Sequence, residues 1–375
     1  MGDSGEIAFA ARLIGDGVNV TNDFGIWAPR ALGIPILHTT PVDTYLDLAV
    51  REGGQAPDFP EGVTYYFESN ENPRMSVGPS GSIALRGELI GTGINATNNE
   101  AIWLGYANLL TSVVQTGDTP PDGNGMTITS TGGNNTRPFP SSDSFVAYSS
   151  RVSGPGISGW PNDTALWVAS QAETRLVFQG GDPAPGTPAY FTDADIYRVR
   201  TNRLGHVAFI HFTGGGYTQN YGGAWLDRGD GPESIAIGHR VEDIEPGFRF
   251  WHFFDHVTLN DSGDVGFIAQ LQGEDVDISN DGSIWVGDTE SVQLVAREGN
   301  PAPGTELGVV FATLPGWRAG ESVPNLDITE PVRINASGQL AFRALLGGTG
   351  VNLTNRSGLW ATASNGILRL VAREG

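Results

Sequence analysis

Asn335-Ala336-Ser337-Gly338-Gln339-Leu340-Ala341-Phe342 is followed, about 18 residues later, by Gly358-Leu359-Trp360, and this pairing recurs along the chain. Gly5–Phe9 pairs with Ile26-Trp27 and Gly81–Leu85 with Ile102-Trp103. Ala147-Tyr148 pairs with Leu166-Trp167, Ala208-Phe209 with Ala224-Trp225, and Gly266-Phe267 with Ile284-Trp285. The Asn-x-Ser-Gly turn makes a tight bend into a short strand, with glycine free to adopt positive φ. A third strand ends each unit, as in Leu48-Ala49-Val50-Arg51-Glu52-Gly53, Gln293–Gly299 and Leu368–Arg373. A fourth precedes the next turn at Arg74–Val77, Arg198–Thr201, His256–Leu259 and Pro331–Ile334.

Four antiparallel strands per unit, repeated at roughly 60 to 75 residues, predict an all-β fold: a six-bladed β-propeller. The blades fall at approximately 1–68, 69–128, 129–187, 188–246, 247–310 and 311–375 of one propeller domain. Five inner strands are found for six outer ones, so the first blade is expected to lack its inner strand. That points to a segment of a longer precursor, the alternative being a native ring with one three-stranded blade. The six tryptophans are assigned to packing between blades. The Arg-Glu pairs Arg51/Glu52, Arg297/Glu298 and Arg373/Glu374 read as edge charges that discourage sheet-to-sheet association.

Asn260-Asp261-Ser262-Gly263-Asp264-Val265-Gly266-Phe267 and Asn335–Phe342 carry a motif that resembles the bacterial "choice-of-anchor tandem repeat NxxGxxAF" surface proteins. The strand order resembles the WD-repeat and TolB-like propeller blade, in which the segment before the turn is innermost. The resemblance implies export and attachment to a bacterial cell surface or matrix.

Composition narrows the function classes. The chain has 53 Gly, 23 Pro and only 17% charged residues, which suits short strands and tight turns. It contains 0 Cys, which excludes disulfides, thiolate metal sites and a cysteine nucleophile. A net charge of -21 disfavours nucleic acid and anionic membrane as partners. No apolar run approaches the roughly 18 residues of a membrane span. A monomer is expected.

Three clusters carry candidate chemistry. Four positions before each turn stand Arg74, Arg137, Arg198, His256 and Pro331, which on facing inner strands would gather cations that match planar carboxylates. Glu71, Asp193, Asp195, Asp255 and Glu330 are near enough in sequence to pair with them instead. The stretch Phe248–His256 concentrates aromatics. Period-2 alternation would set His252, Phe254 and His256 on one face and Trp251, Phe253 and Asp255 on the other. Two such histidines suit a metal, with His206 or His211 as a third ligand, or acid–base work. A packed core histidine is the competing reading. Trp251, Trp160, Trp317 and Tyr197 could stack on sugars. Asp275, Asp277, Ser279 and Asp281 alternate as calcium ligands would, yet Asn19-Val20-Thr21-Asn22, Asn95-Ala96-Thr97-Asn98 and Asn352-Leu353-Thr354-Asn355 repeat the pattern without charge, which favours an Asx turn. No cofactor is required, and calcium is the one candidate.

The leading expectation is an extracellular or surface-attached bacterial propeller that binds a partner, such as an acidic polysaccharide, around its axis. The alternative is a polysaccharide lyase or glycosidase of acidic sugars, with His252, His256 and Tyr197 moving protons. Ser279–Trp285 approaches a sialidase Asp-box but is one residue short. A third reading is a structural surface-layer module. No nucleophile elbow, phosphate loop or dinucleotide fingerprint occurs.

Overall fold

The computed structural model describes residues 7–31, 46–67, 74–78, 80–132, 138–141, 144–193, 199–214, 221–238, 247–314 and 332–375. Each sequence pairing forms one antiparallel hairpin with the tryptophan directly opposite its apolar partner. The pairs are Phe9↔Trp27, Leu85↔Trp103, Tyr148↔Trp167, Phe209↔Trp225, Phe267↔Trp285 and Phe342↔Trp360. Between the tryptophan strand and the next, the register shifts just before the tryptophan in every copy. Such a bulge twists the strand and re-aims the side chain. The residue two before the tryptophan is always Gly, Ala or Ser. The ring folds back over it: a Cβ on Gly223 would lie 2.5 Å from Trp225 Cη2.

Six antiparallel sheets follow one another along the chain. Blade 1 holds β1 (Phe9–Arg12), β2 (Phe24–Pro29) and β3 (Leu46–Arg51). Blade 2 holds β4 (Thr64–Tyr66), β5 (Arg74–Val77), β6 (Ile83–Ile90), β7 (Glu100–Tyr106) and β8 (Leu109–Gln115). Blade 3 holds β9 (Thr127–Ser130), β10 (Phe139–Pro140), β11 (Val146–Ser153), β12 (Thr164–Ala169) and β13 (Thr174–Gln179). Blade 4 holds β14 (Tyr190–Phe191), β15 (Val199–Thr201), β16 (Val207–Gly214), β17 (Tyr221–Asp227) and β18 (Pro232–Ile237). Blade 5 holds β19 (Phe248–Leu259), β20 (Val265–Gly273), β21 (Gly282–Gly287) and β22 (Val292–Arg297). Blade 6 holds β23 (Val309–Thr313), β24 (Val332–Ile334), β25 (Leu340–Gly348), β26 (Ser357–Thr362) and β27 (Leu368–Arg373). The fold is the all-β, six-bladed propeller that the repeat predicts, and blade 1 has no inner strand among the described residues. Among the same residues, no helix is long and apolar enough to cross a membrane.

The inner edge differs from the expected single short strand. In blades 2, 3, 4 and 6 two segments pair end to end along one neighbour, as β4 and β5 do along β6. Blade 5 runs through as the single β19, bulged between Phe253 and Val257. The blade limits move accordingly. β4 belongs to blade 2 although the sequence division placed it in the first, while β9 and β23 straddle the divisions at 128 and 310.

The contacts divide the chain into two compact units. The first comprises Met1–Asp182, Asp193–Tyr197 and Thr201–Gly205, and the second Pro183–Thr192, Arg198–Arg200 and His206–Gly375. In the first unit, Trp103 and Trp167 join apolar layers between blades 1 and 2 and between blades 2 and 3. In the second, Trp285 and Trp360 join the layers between blades 4 and 5 and between blades 5 and 6. Full burial of one tryptophan removes enough apolar surface to stabilise its layer by about 5 kcal/mol.

In two of the three Arg-Glu pairs the glutamate is not an edge charge. Arg51, Arg297 and Arg373 donate through Nε to the carbonyls of Asn22, Asn280 and Asn355 at 3.1, 2.8 and 2.8 Å, clasping the hairpin of their own blade. Glu52 and Glu298 are 3% and 2% exposed. Glu298 accepts from Gly282 N at 3.1 Å and from Leu314 N at 2.9 Å, and Glu52 accepts from Phe67 N at 3.4 Å. Each carboxylate therefore latches an outer strand to the end of the next blade's first inner segment. Only Glu374 of the three is exposed.

Candidate functional site

On the inner strands of the second unit, a buried valine stands beside a basic residue in three consecutive blades. Val199 is followed by Arg200, Val257 is preceded by His256, and Val332 is followed by Arg333. The valines are 1%, 1% and 0% exposed. Strand alternation therefore turns Arg200 and Arg333 to the opposite face of β15 and β24 from their valines, while His256 stands at the end of the bulge in β19. His256 Nε2 lies 2.7 Å from the Val332 carbonyl. A carbonyl only accepts, so Nε2 carries the proton and Nδ1 keeps its lone pair.

Burial, and after it the charge of Arg200, pulls the His256 pKa down to about 3, with Arg333 adding to the effect. Burial first, and then Arg333, pulls Arg200 down to about 10. At neutral pH the cluster therefore holds a guanidinium at Arg200 and at Arg333 around a neutral imidazole. Arg200 also donates through Nη1 to the Val199 carbonyl at 2.9 Å. Such a group can hold a carboxylate, whereas an imidazole this reluctant to protonate is a weak base for abstracting a proton.

Of the described residues selected from sequence, only His256 belongs to this cluster. Arg137, Arg198, Tyr197, Pro331, Glu71, Asp195, Glu330 and Trp317 lie outside the described residues, and so does the side chain of Asp255. Arg74 sits on β5 in the first unit, cross-strand from Arg86. Arg86 is committed to Glu100 at 3.0 Å and to Thr131 Oγ1 at 3.0 Å. Burial raises the Glu100 carboxyl, but Arg86 and the donors around it outweigh this and hold it below its ordinary value. Arg200 and Arg333 escaped the sequence reading because it aligned strands four residues before the turn. Two residues before Asn202 and Asn335 would have found both.

Strict alternation in Phe248–His256 does not hold. Register shifts between Phe250 and His252 and between Phe253 and Val257 interrupt it. Phe250, Phe253 and Val257 consequently share one apolar layer while Phe254 enters another. The His252 ring lies 5.5 Å from Phe212 and 5.4 Å from Phe254. His211 is 6% exposed, with Nε2 3.4 Å from Thr192 Oγ1. Among the described residues, no three His, Asp or Glu side chains are grouped to hold a metal. Trp251 and Trp160 are 53% and 65% exposed, Trp160 in the first unit and Trp251 in the second.

The acidic loop is an Asx turn. Asp277 Oδ1 accepts from Ser279 N at 2.8 Å and Ser279 Oγ at 2.6 Å. Asn19, Asn95 and Asn352 accept the same pair of bonds from Thr21, Thr97 and Thr354. Asp281 instead accepts from Gln270 Nε2 at 2.9 Å. Asp277 and Asp281 thus serve separate bonds.

The family described as "Family of unknown function (DUF7453)" matches residues 1–375. No curated protein sequence matches the chain. Among solved structures, it is similar to an oligogalacturonate lyase in complex with manganese, at 11% identity and TM-score 0.32 over 83% of this chain and 85% of that one. It is similar to a mutant Trypanosoma rangeli sialidase displaying trans-sialidase activity, at 9% identity and TM-score 0.33 over 84% and 51%. It is also similar to the Penicillium chrysogenum alpha-L-arabinanase complexed with arabinobiose, at 10% identity and TM-score 0.28 over 80% and 79%. Likeness at these scores transfers neither activity nor site residues.

Proposed function

For this chain, which belongs to the DUF7453 family, we propose a carboxylate-binding propeller whose ligand is an acidic polysaccharide held at Arg200, His256 and Arg333. The observation that carries this reading is the proximity of two guanidinium groups and a neutral imidazole on three successive inner strands. They stand in a chain whose net charge is -21. Guanidinium forks match planar carboxylates of uronic or sialic acid type, and the exposed Trp251 of the same unit offers a face for a sugar ring. The repeat's resemblance to bacterial surface proteins supports an extracellular, surface-attached setting.

A proton-transfer role for His256 is disfavoured by its depressed pKa, so binding is preferred to lyase or glycosidase chemistry. The test is a glycan array of polyuronates, sialylated glycans and their carboxyl-reduced counterparts. It is run on the wild type and on Arg200→Gln/Arg333→Gln, with circular dichroism as the check on folding. Binding should require the carboxyl groups, weaken with salt and fall about 100-fold in the double variant. Equal binding by a folded double variant, or no preference for acidic over reduced glycans, refutes the reading. A parallel ultraviolet assay would detect unsaturated products if the lyase alternative held.

A further inference from the structure

The hairpin turn that leads into the tryptophan strand carries Asn19-Val20-Thr21-Asn22 in blade 1, Asn95–Asn98 in blade 2 and Asn352–Asn355 in blade 6. Two asparagines hold each turn, in different ways. The second commits both ends of its amide. Oδ1 of Asn22, Asn98 and Asn355 accepts from the backbone N–H of Asn19, Asn95 and Asn352 at 2.8, 2.7 and 2.7 Å. Nδ2 of the same three donates to the carbonyls of Gly17, Gly93 and Gly350 at 3.1, 3.0 and 3.1 Å.

The first asparagine commits only its oxygen. In Asn19, Asn95 and Asn352, Oδ1 accepts from the backbone N–H of Thr21, Thr97 and Thr354 at 2.9 Å and from the hydroxyl of the same residue at 2.7 Å. Two donors on the oxygen fix which way the amide faces, and Nδ2 makes no hydrogen bond among the described residues. All three asparagines and their threonines are exposed. A Cβ on Gly17, Gly93 or Gly350 would meet nothing within 4 Å, so the surroundings are open. Blade 5 builds the same turn with Asp277 and Ser279, so the turn itself has no need of the amide nitrogen.

Asn-x-Ser/Thr without a central proline is the acceptor pattern for N-linked sugars, and it occurs eight times in the chain. The fold sorts these copies. Asn162, Asn260, Asn335 and Asn355 commit Nδ2 to the Gly156 carbonyl, Asp264, Gln339 and the Gly350 carbonyl at 3.0, 2.7, 2.8 and 3.1 Å. Asn260 is also buried. Asn134 lies outside the described residues. Among the described residues, Asn19, Asn95 and Asn352 alone combine the pattern with an exposed, uncommitted nitrogen.

We propose that Asn19, Asn95 and Asn352 are acceptors for an N-linked sugar delivered as a diphosphate ester. Nδ2 attacks C1 of the sugar, the C1–O bond to the diphosphate breaks, and the diphosphate leaves with the electron pair. One Nδ2 proton passes to a base of the transferase. An amide nitrogen is a poor nucleophile because its lone pair is shared with the carbonyl. The threonine N–H and hydroxyl are aimed at Oδ1, where negative charge gathers as the nitrogen gives up its proton. This inference does not rest on the carboxylate site and stands or falls separately from it.

The test incubates the folded full chain in two arms. One supplies an oligosaccharyltransferase with a lipid diphosphate-linked oligosaccharide, the other a soluble N-glycosyltransferase with a nucleoside diphosphate hexose. Mass spectrometry maps occupancy at each asparagine, which is divided by that of a free peptide carrying the same triplet to remove intrinsic reactivity. On this scale Asn19, Asn95 and Asn352 should exceed Asn162, Asn260, Asn335 and Asn355 by about tenfold or more, and the productive arm identifies the donor. Asp277→Asn should gain the modification in the blade 5 turn. Thr97→Val should lose it at Asn95 alone, and Thr97→Ser should keep it. The proposal is overturned by equal normalised occupancy at the two sets of sites, by peptides that are modified in both arms while the folded chain is not, or by a folded Asp277→Asn that stays unmodified at that position. Circular dichroism checks folding, and if that variant does not fold, the ratio measured on the wild-type chain decides the matter.

Discussion

Acid should destabilise this protein through His256. The unfolded chain takes up the imidazole proton as pH falls through 6.5, while the folded chain resists it to about 3. Stability from this group is therefore complete above pH 6.5 and is lost progressively as pH falls toward 3. Linkage puts the loss between pH 7 and pH 4.5 at about 2.5 kcal/mol, and a folded pKa one unit higher changes that by only about 0.1 kcal/mol. The physical cost at pH 4.5 is a cation forced into a buried site beside Arg200 and Arg333. Urea unfolding followed by tryptophan emission at pH 7 and pH 4.5 measures it. His256→Gln should lack this increment while sharing every carboxylate contribution, so the difference between the two proteins isolates the imidazole. An NMR titration should find its ring neutral at pH 5. Identical pH dependence in the two proteins, or an imidazole titrating near 6.5, would refute the argument.

Other consequences follow from the same contacts. Glu298→Ala leaves the amides of Gly282 and Leu314 without their acceptor and should cost about 2 to 4 kcal/mol by urea denaturation, with Glu298→Gln costing less. Trp360→Ala should cost about 3 to 5 kcal/mol, whereas the half-buried Trp27 should cost clearly less, as calorimetric melting would show. Asp277→Asn restores the residue found in three sister turns and should leave the urea midpoint unchanged. Millimolar calcium should shift the melting temperature of neither that variant nor the wild type.

The sequence by itself determined the architecture, because each copy states its packing locally. A tight turn, an apolar residue and a tryptophan at fixed spacing are enough to specify a hairpin, and that blade 1 has no inner strand among the described residues was countable from the same pattern. What the tertiary structure decided depends on which residues from different blades meet. It moved Glu52 and Glu298 from solvent-facing edges into buried latches, since their amide partners lie some 15 residues on, in the next blade. It broke the alternation of Phe248–His256, because an extra residue in a strand re-aims everything after it and has no signature in composition. It brought His256 together with Arg200 and Arg333, which the row four residues before the turn does not contain. Only strand pairing reveals which side of the buried valines a basic residue takes, and only proximity turns three separate residues into one electrostatic site.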